Sequence, residues 1–259
     1  MTDVASAREA PSTRLDNVCP NCRFLAWCSP AGLAAPDAQR LHNAVVHRRA
    51  IARGGFLCRA GETLGSLYVV RSGILKATLT HENGGVQVTG FLMTGDVAGI
   101  DAIASSVHQC DLIALDDSSV CGVRYAEFMN ISRSAPELQH HFHRLLSAEI
   151  ARTHELMVLL GSMTARQRVA MFILMQSKRS PVRGSDGSRF TLPMSRQDIS
   201  SFLGLKLETV CRSIAGLQRS KVIAIKRRDV VIEDPAGLEA LIRIKGAEKS
   251  AARGAHDRP

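Results

Sequence analysis

Cys19, Cys22 and Cys28 fall within ten residues at the spacing Cys-x2-Cys-x5-Cys. Thiolates are soft anionic ligands, and three of them in a segment too short to bury a core of its own point to zinc or an iron–sulfur cluster. Either group normally takes a fourth cysteine, for which Cys58, Cys110, Cys121 and Cys211 are the candidates. Spacing does not choose among them, because an isolated cysteine in a β segment more often serves as a small buried core residue. The cysteine count is odd at seven, and the polar start Met1-Thr2-Asp3-Val4-Ala5-Ser6 has no apolar run behind it. The thiols are therefore expected in a reducing cytoplasm and not in a disulfide framework.

A second constellation lies near the other end. Glu208, Cys211 and Arg212 share one face of a short amphipathic segment whose opposite face is Val210, Ile214 and Leu217. Arg can bond bidentately to guanine O6 and N7, and Glu can accept from the cytosine amino group. On an ordinary surface the same two residues would be only an i,i+4 ion pair. The surrounding charge favours base reading. The chain of 259 residues carries 33 Lys and Arg against 24 Asp and Glu, net +9. Residues 1–163 hold 14 basic and 15 acidic side chains, whereas residues 164–259 hold 19 and 9. A segment at +10 joined to one at −1 fits a polyanion-binding module attached to something else, with double-stranded DNA as the polyanion.

The elements that would present these residues can be read from periodicity. Between Ile51 and Phe128, short apolar runs such as Leu67-Tyr68-Val69-Val70, Ile74-Leu75-Lys76-Ala77 and Val86 to Phe91 alternate with glycine turns, which suits antiparallel strands in a sandwich or roll. From Glu137 to Met163 no glycine or proline intervenes before Gly161, so one long helix is expected. His143, Leu146, Ile150, Thr153, Met157 and Leu160 recur along it at steps of three and four, the signature of a coiled-coil seam between two copies. Leu145, Leu156 and Leu159 form a second apolar face for packing within the chain. A helix from Ala165 to Lys178 follows. Ser195 with Asp198 three residues on is close to a capping box, Gly204 can close that helix with positive φ, and another helix starts near Leu207. Helix, glycine turn and second helix make a helix-turn-helix, and Val222–Lys226 with Val230–Glu233 around Arg227-Arg228-Asp229 make a basic wing.

Other function classes fit less well. At 45% hydrophobic and 22% charged residues the chain is an ordinary globular one, and no apolar stretch approaches the roughly 18 residues that cross a bilayer. His140, His141 and His143 lack a neighbouring carboxylate pair, His81-Glu82 beside Asn83-Gly84-Gly85 reads as a turn and not as an enzyme's metal strand, and no glycine-rich phosphate loop is present.

The sequence resembles the FNR branch of the CRP/FNR superfamily of bacterial transcription regulators from about Cys19 to Leu241. The likeness rests on the cysteine spacing, on Leu67-Tyr68-Val69-Val70-Arg71-Ser72-Gly73, on Thr89-Gly90-Phe91 to Gly95-Asp96, and on Glu208-Thr209-Val210 with Arg212. It implies an α+β fold with an N-terminal antiparallel β-roll (a double-stranded β-helix), a long dimerisation helix and a C-terminal winged helix-turn-helix. The divisions it implies are a flexible arm and cysteine-rich segment over 1–30, the sensory roll over 31–135, the dimerisation helix over 136–163, the DNA-binding domain over 164–245 and a flexible tail over 246–259. It further implies a 4Fe-4S cluster on Cys19, Cys22, Cys28 and, by motif position, Cys121, with Cys58 and Cys110 structural. A homodimer, an inverted TTGAT-type site and RNA polymerase as a partner complete the expectation. Cyclic-nucleotide-binding relatives use a Gly-Glu pair for the ribose and an Arg-Ser pair for the phosphate. Here Gly95-Asp96 stands at the first place and no Arg lies near His108-Gln109-Cys110, so no nucleotide is expected. Two residues depart from the branch: Thr153 occupies a seam position where oxygen-labile members place an acid, and Cys211 replaces a Ser.

Overall fold

The computed structural model describes residues 33–179 and 187–243. Cys19, Cys22 and Cys28, the arm and the tail lie outside the described residues. The first described element is a helix, α1 (Ala35–Ala44). Eight strands then follow in chain order: β1 (Val45–Ile51), β2 (Phe56–Cys58), β3 (Ser66–Ser72), β4 (Ile74–Thr80), β5 (Val86–Met93), β6 (Val97–Ala98), β7 (Asp111–Ala114) and β8 (Ser118–Arg124). They form two antiparallel four-stranded sheets, ordered β1-β8-β3-β6 and β2-β7-β4-β5. Alternation explains the pairing of faces. Val70, Leu75, Leu112 and Val120 point inward and bury themselves in one cluster between the sheets. Gly73 allows the sharp passage from β3 to β4: its φ is 83°, and a side chain there would overlap Ser118.

Strand β8 runs straight into α2 (Tyr125–Ser134), which stops at Ala135 because Pro136 follows. Pro136 then opens the long helix α3 (Pro136–Ser162), where a missing N–H costs nothing. Phe128 meets Phe142 edge-on at 4.9 Å between centroids, and with Leu41, Val123, Ile131, Leu138 and the half-buried Leu146 they weld the start of α3 to the roll.

The basic third comprises α4 (Ala165–Arg179), β9 (Arg189–Thr191), α5 (Arg196–Phe202), α6 (Leu207–Arg219), β10 (Ile223–Lys226), β11 (Asp229–Ile232) and α7 (Pro235–Ile242). The wing is a three-stranded antiparallel sheet ordered β10-β11-β9, so Arg189–Thr191 supplies a strand the periodicity did not announce. One apolar cluster joins this unit to the roll: Phe91 of β5 packs on Phe172 of α4 and Phe202 of α5, with centroids 6.1 and 5.2 Å away. The expected β-roll, long helix and helix-turn-helix are all present. Among the described residues no helix is long and apolar enough to cross a membrane.

Candidate functional site

The helix-turn-helix is built from its caps. Ser195 Oγ accepts from the Asp198 N–H at 3.0 Å while Asp198 Oδ2 accepts from the Ser195 N–H at 3.0 Å, a reciprocal box that starts α5. Gly204, at φ 60°, turns the chain after Leu203, and Lys206 opens α6. Val210, Ile214 and Leu217 are buried, which turns the opposite side of α6 outward. Glu208 and Arg212 have side chains 77% and 70% exposed and lie 3.6 Å apart as an i,i+4 pair, and Cys211 between them is also exposed. An ion pair so solvated is worth only a few tenths of a kcal/mol, leaving both groups free to exchange partners at little cost. The structure thus brings all three predicted residues to one open face near a helix N-terminus.

Further cations are exposed or half-buried in this unit: Arg227 and Arg228 are the ones the sequence placed in a basic wing, whereas Lys206 and Arg196 were not singled out. Lys206 is exposed at the start of α6, and Lys226, Arg227 and Arg228 are exposed at the wing tip, where Arg227 has φ 58°. Arg196, at the start of α5, is half-buried close enough to Cys211 to feel its thiol, and burial lowers the guanidinium's pKa from its ordinary value. The density of Lys and Arg in this third was the available signal for them. Their places depend on the turn geometry.

The predicted seam is divided by the fold. His143, Ile150, Thr153 and Met157 are exposed, Ile150 and Met157 by 58% and 65%. Leu146 is partly covered by the cluster at the root of α3 and Leu160 by the cluster that joins the roll to the basic third. Val158 adds a 49% exposed apolar side chain beside them. Three large apolar residues half open to water on one helix leave a face that a second helix can cover. Thr153 Oγ1 meanwhile bonds the Glu149 carbonyl at 3.0 Å, within its own helix.

Of the four expected metal ligands only Cys121 lies among the described residues. It sits in the middle of β8, opposite Arg48 of β1 and Val69 of β3, and is buried. Val120 next to it points into the roll, so strand alternation sends Cys121 to the outer face, the one that carries Val123 against α2 and α3. Burial pushes the Cys58 thiol up to about 12, with Glu62 and Asp101 adding to the shift, and burial raises Cys110 too. Neither of those is poised to ionise. Among the described residues no group of three or more His, Cys, Asp or Glu converges as a metal site.

A cavity of about 480 Å³ lies between β5, β6, α3 and α4, lined in part by Thr89, Asp101, Cys110, Leu156, Met175 and Gln176. Asp96 stands at its edge, engaged by arginines from two helices.

Residues 48–135 match the cyclic nucleotide-binding domain family, and residues 167–241 match the Crp-like helix-turn-helix domain family. The chain is 38% identical to the transcriptional regulatory protein btr of Bordetella pertussis, over 86% of this chain and 93% of that protein. It is 34% identical to the fumarate and nitrate reduction regulatory protein of Escherichia coli, over 90% of this chain and 92% of that one. Among solved structures, FixK2 from Bradyrhizobium japonicum is similar at a TM-score of 0.70 and 26% identity, covering 76% of this chain and 96% of its own.

Proposed function

Since the chain belongs to the CRP/FNR family, whose members are DNA-binding transcription regulators and not enzymes, we propose that it is an oxygen-responsive regulator working through a 4Fe-4S cluster on Cys19, Cys22, Cys28 and Cys121. The observation that carries this reading is the position of Cys121. It is buried on the outer face of β8, while the thiols of Cys58 and Cys110 are held in their neutral form. Four cysteine thiolates are the usual ligand set of such a cluster, and once bound it supplies an iron centre that oxygen can attack. Cys121 lies two residues before Val123, which packs with Phe128, Leu138 and Phe142 at the root of α3. Fastening residues 19–28 to β8 would therefore load the strand that feeds the long helix. Ile150, Thr153 and Met157 pair with a second copy, placing two α6 helices about one DNA turn apart. Glu208 and Arg212 read the inner C·G pair of an inverted TTGAT-type repeat separated by four bases, and RNA polymerase is recruited from that site.

A cyclic nucleotide is not the effector on this reading. Asp96 is already engaged by Arg152 and Arg179, and no arginine lies beside His108-Gln109-Cys110 to neutralise a phosphate.

The test is anaerobic purification followed by iron and sulfide analysis, with retention of a TTGAT inverted-repeat duplex measured before and after air. About four irons and four sulfides per chain, with retention lost in air, is the expected result. Stoichiometric zinc without sulfide, or retention indifferent to both iron and air, would sink it.

A further inference from the structure

Asp96 occupies the turn between β5 and β6, and its main chain is fixed there on both sides. Its N–H donates to the Met93 carbonyl at 2.9 Å, and its carbonyl accepts from the Val70 N–H at 3.0 Å. The side chain is 15% exposed. One carboxylate oxygen, Oδ1, accepts from Arg152 Nη1 at 3.1 Å. The other, Oδ2, accepts from the Met93 N–H at 2.7 Å and from Arg179 Nη2. Arg152 lies on α3 beside the seam residue Thr153, and Arg179 is the last residue of α4, the first helix of the DNA-binding unit. Arg179 also donates to the Phe91 carbonyl at 3.2 Å, beside the aromatic cluster that joins roll and DNA-binding unit. One rigidly mounted carboxylate from the roll thus holds one cation from the dimerisation helix and one from the DNA-binding unit.

We propose that Asp96 is a positioning residue that locks the DNA-binding unit to the dimerisation helix, so that the two recognition helices keep their separation with no small effector at this place. Ion pairs on a mobile surface contribute little, but this carboxylate is largely out of water and hydrogen-bonded at both oxygens, the condition under which such a pair fixes geometry. Holding the unit still lowers the ordering cost of engaging both half-sites at once. Arg152 keeps a second partner, Glu149 at 3.3 Å, so loss of the Asp96 charge leaves α3 its own ion pair while α4 loses its charged partner. The inference rests on the DNA-site reading for its affinity arm alone.

The Val88 N–H donates to Ser201 Oγ across the same junction at 2.8 Å and gives a readout independent of DNA. Hydrogen–deuterium exchange on the whole 259-residue chain would compare wild type with Asp96→Asn, Arg179→Ala and Arg179→Lys, alongside duplex affinity and sedimentation. For Asp96→Asn and Arg179→Ala, faster exchange across Val86–Met93 and Arg196–Phe202 is expected. Duplex affinity should fall about tenfold while the dimer dissociation constant stays within about threefold. Arg179→Lys should retain most of both, and Asp96→Asn combined with Arg179→Ala should cost less than the sum of the two single changes, since both remove the Asp96–Arg179 contact while Asp96→Asn also alters the bond to Arg152. Wild-type exchange in both Asp96→Asn and Arg179→Ala would overturn the proposal, as would additive effects in the double variant. If Asp96→Asn fails to fold, Arg179→Ala carries the same comparison. If wild type itself ignores the duplex, the DNA-site reading fails and exchange alone decides the role of Asp96.

Discussion

At the scale of single residues, the cysteines separate by environment. Cys58 is buried with its thiol pKa near 12, so exchanging it for Ala removes one sulfur from the roll core and no thiolate. Cys58→Ala and Cys110→Ala should retain the anaerobic brown chromophore, and Cys19→Ala, Cys22→Ala, Cys28→Ala or Cys121→Ala should each lose it, read by visible absorption. A Cys121→Ala protein with a normal spectrum would reassign the fourth ligand. Thr153 yields a second expectation, because a carboxylate there would face its own twin across the seam. Thr153→Asp should weaken the cluster-free dimer by about tenfold or more in analytical ultracentrifugation; an unchanged dissociation constant would remove Thr153 from the dimer argument. At α6, Arg212→Ala should cost about 1–3 kcal/mol at the C·G pair and flatten the preference there, measured by competition between duplexes changed at that base.

At the scale of elements, what could be read in advance depended on how local each signal is. The box of Ser195 and Asp198, the turn at Gly204 and the inward triad Val210, Ile214 and Leu217 each lie within a few residues of one another, and all were legible in the sequence. The long helix was legible because nothing interrupts it from Glu137 to Gly161. By contrast α1 and α2 went unread, and so did β1, β9 and α7. Each is short, and its partners come from elsewhere: β9 is fixed by β11 some forty residues on, and α2 by the roll and α3. Nor could periodicity show that Leu160 is half covered by the chain's own DNA-binding unit, or that Asp198 serves two elements. Besides capping α5, Asp198 receives Lys76 of β4 at 2.6 Å. Burial alone would raise its pKa, but the bonds from Lys76 and Ser195 overcome that and hold it below the ordinary carboxylate value. Its contribution to stability is therefore complete above about pH 4, where an unfolded Asp ionises, and disappears as pH falls through the lower folded value. Lys76→Met should cost about 1–3 kcal/mol at neutral pH and move the acid loss to higher pH in urea titrations. Coincident acid limbs for the two proteins would show that Lys76 does not hold the carboxylate.

For the whole molecule, the division of charge was plain from counting: the near-neutral roll and long helix bear a strongly basic unit whose exposed cations gather on α6 and the wing. At the wing, Lys226 and Arg227 are expected to act through phosphates, while Arg228 pairs with Asp116 of the roll at 3.3 Å. Arg227→Ala is expected to weaken specific and non-specific duplexes alike and to reduce the slope of log affinity against log salt by about one, whereas Arg212→Ala should discriminate between them. A change confined to the specific duplex would place Arg227 among the base readers.

Arg168 braces the join between α3 and the DNA-binding unit at a second point, away from Asp96. It donates to the carbonyls of Leu160 at 2.6 Å, Met163 at 3.0 Å and Leu203 at 3.1 Å, pinning the orphan carbonyls at the end of α3 to the turn before α6. A joint clamped in this way transmits rotation as a lever does. At 27 residues and about 1.5 Å per residue, α3 is an arm of roughly 40 Å. A tilt of about 5° at its roll end would then carry its far end some 3.5 Å, close to the rise of one base pair along a DNA strand.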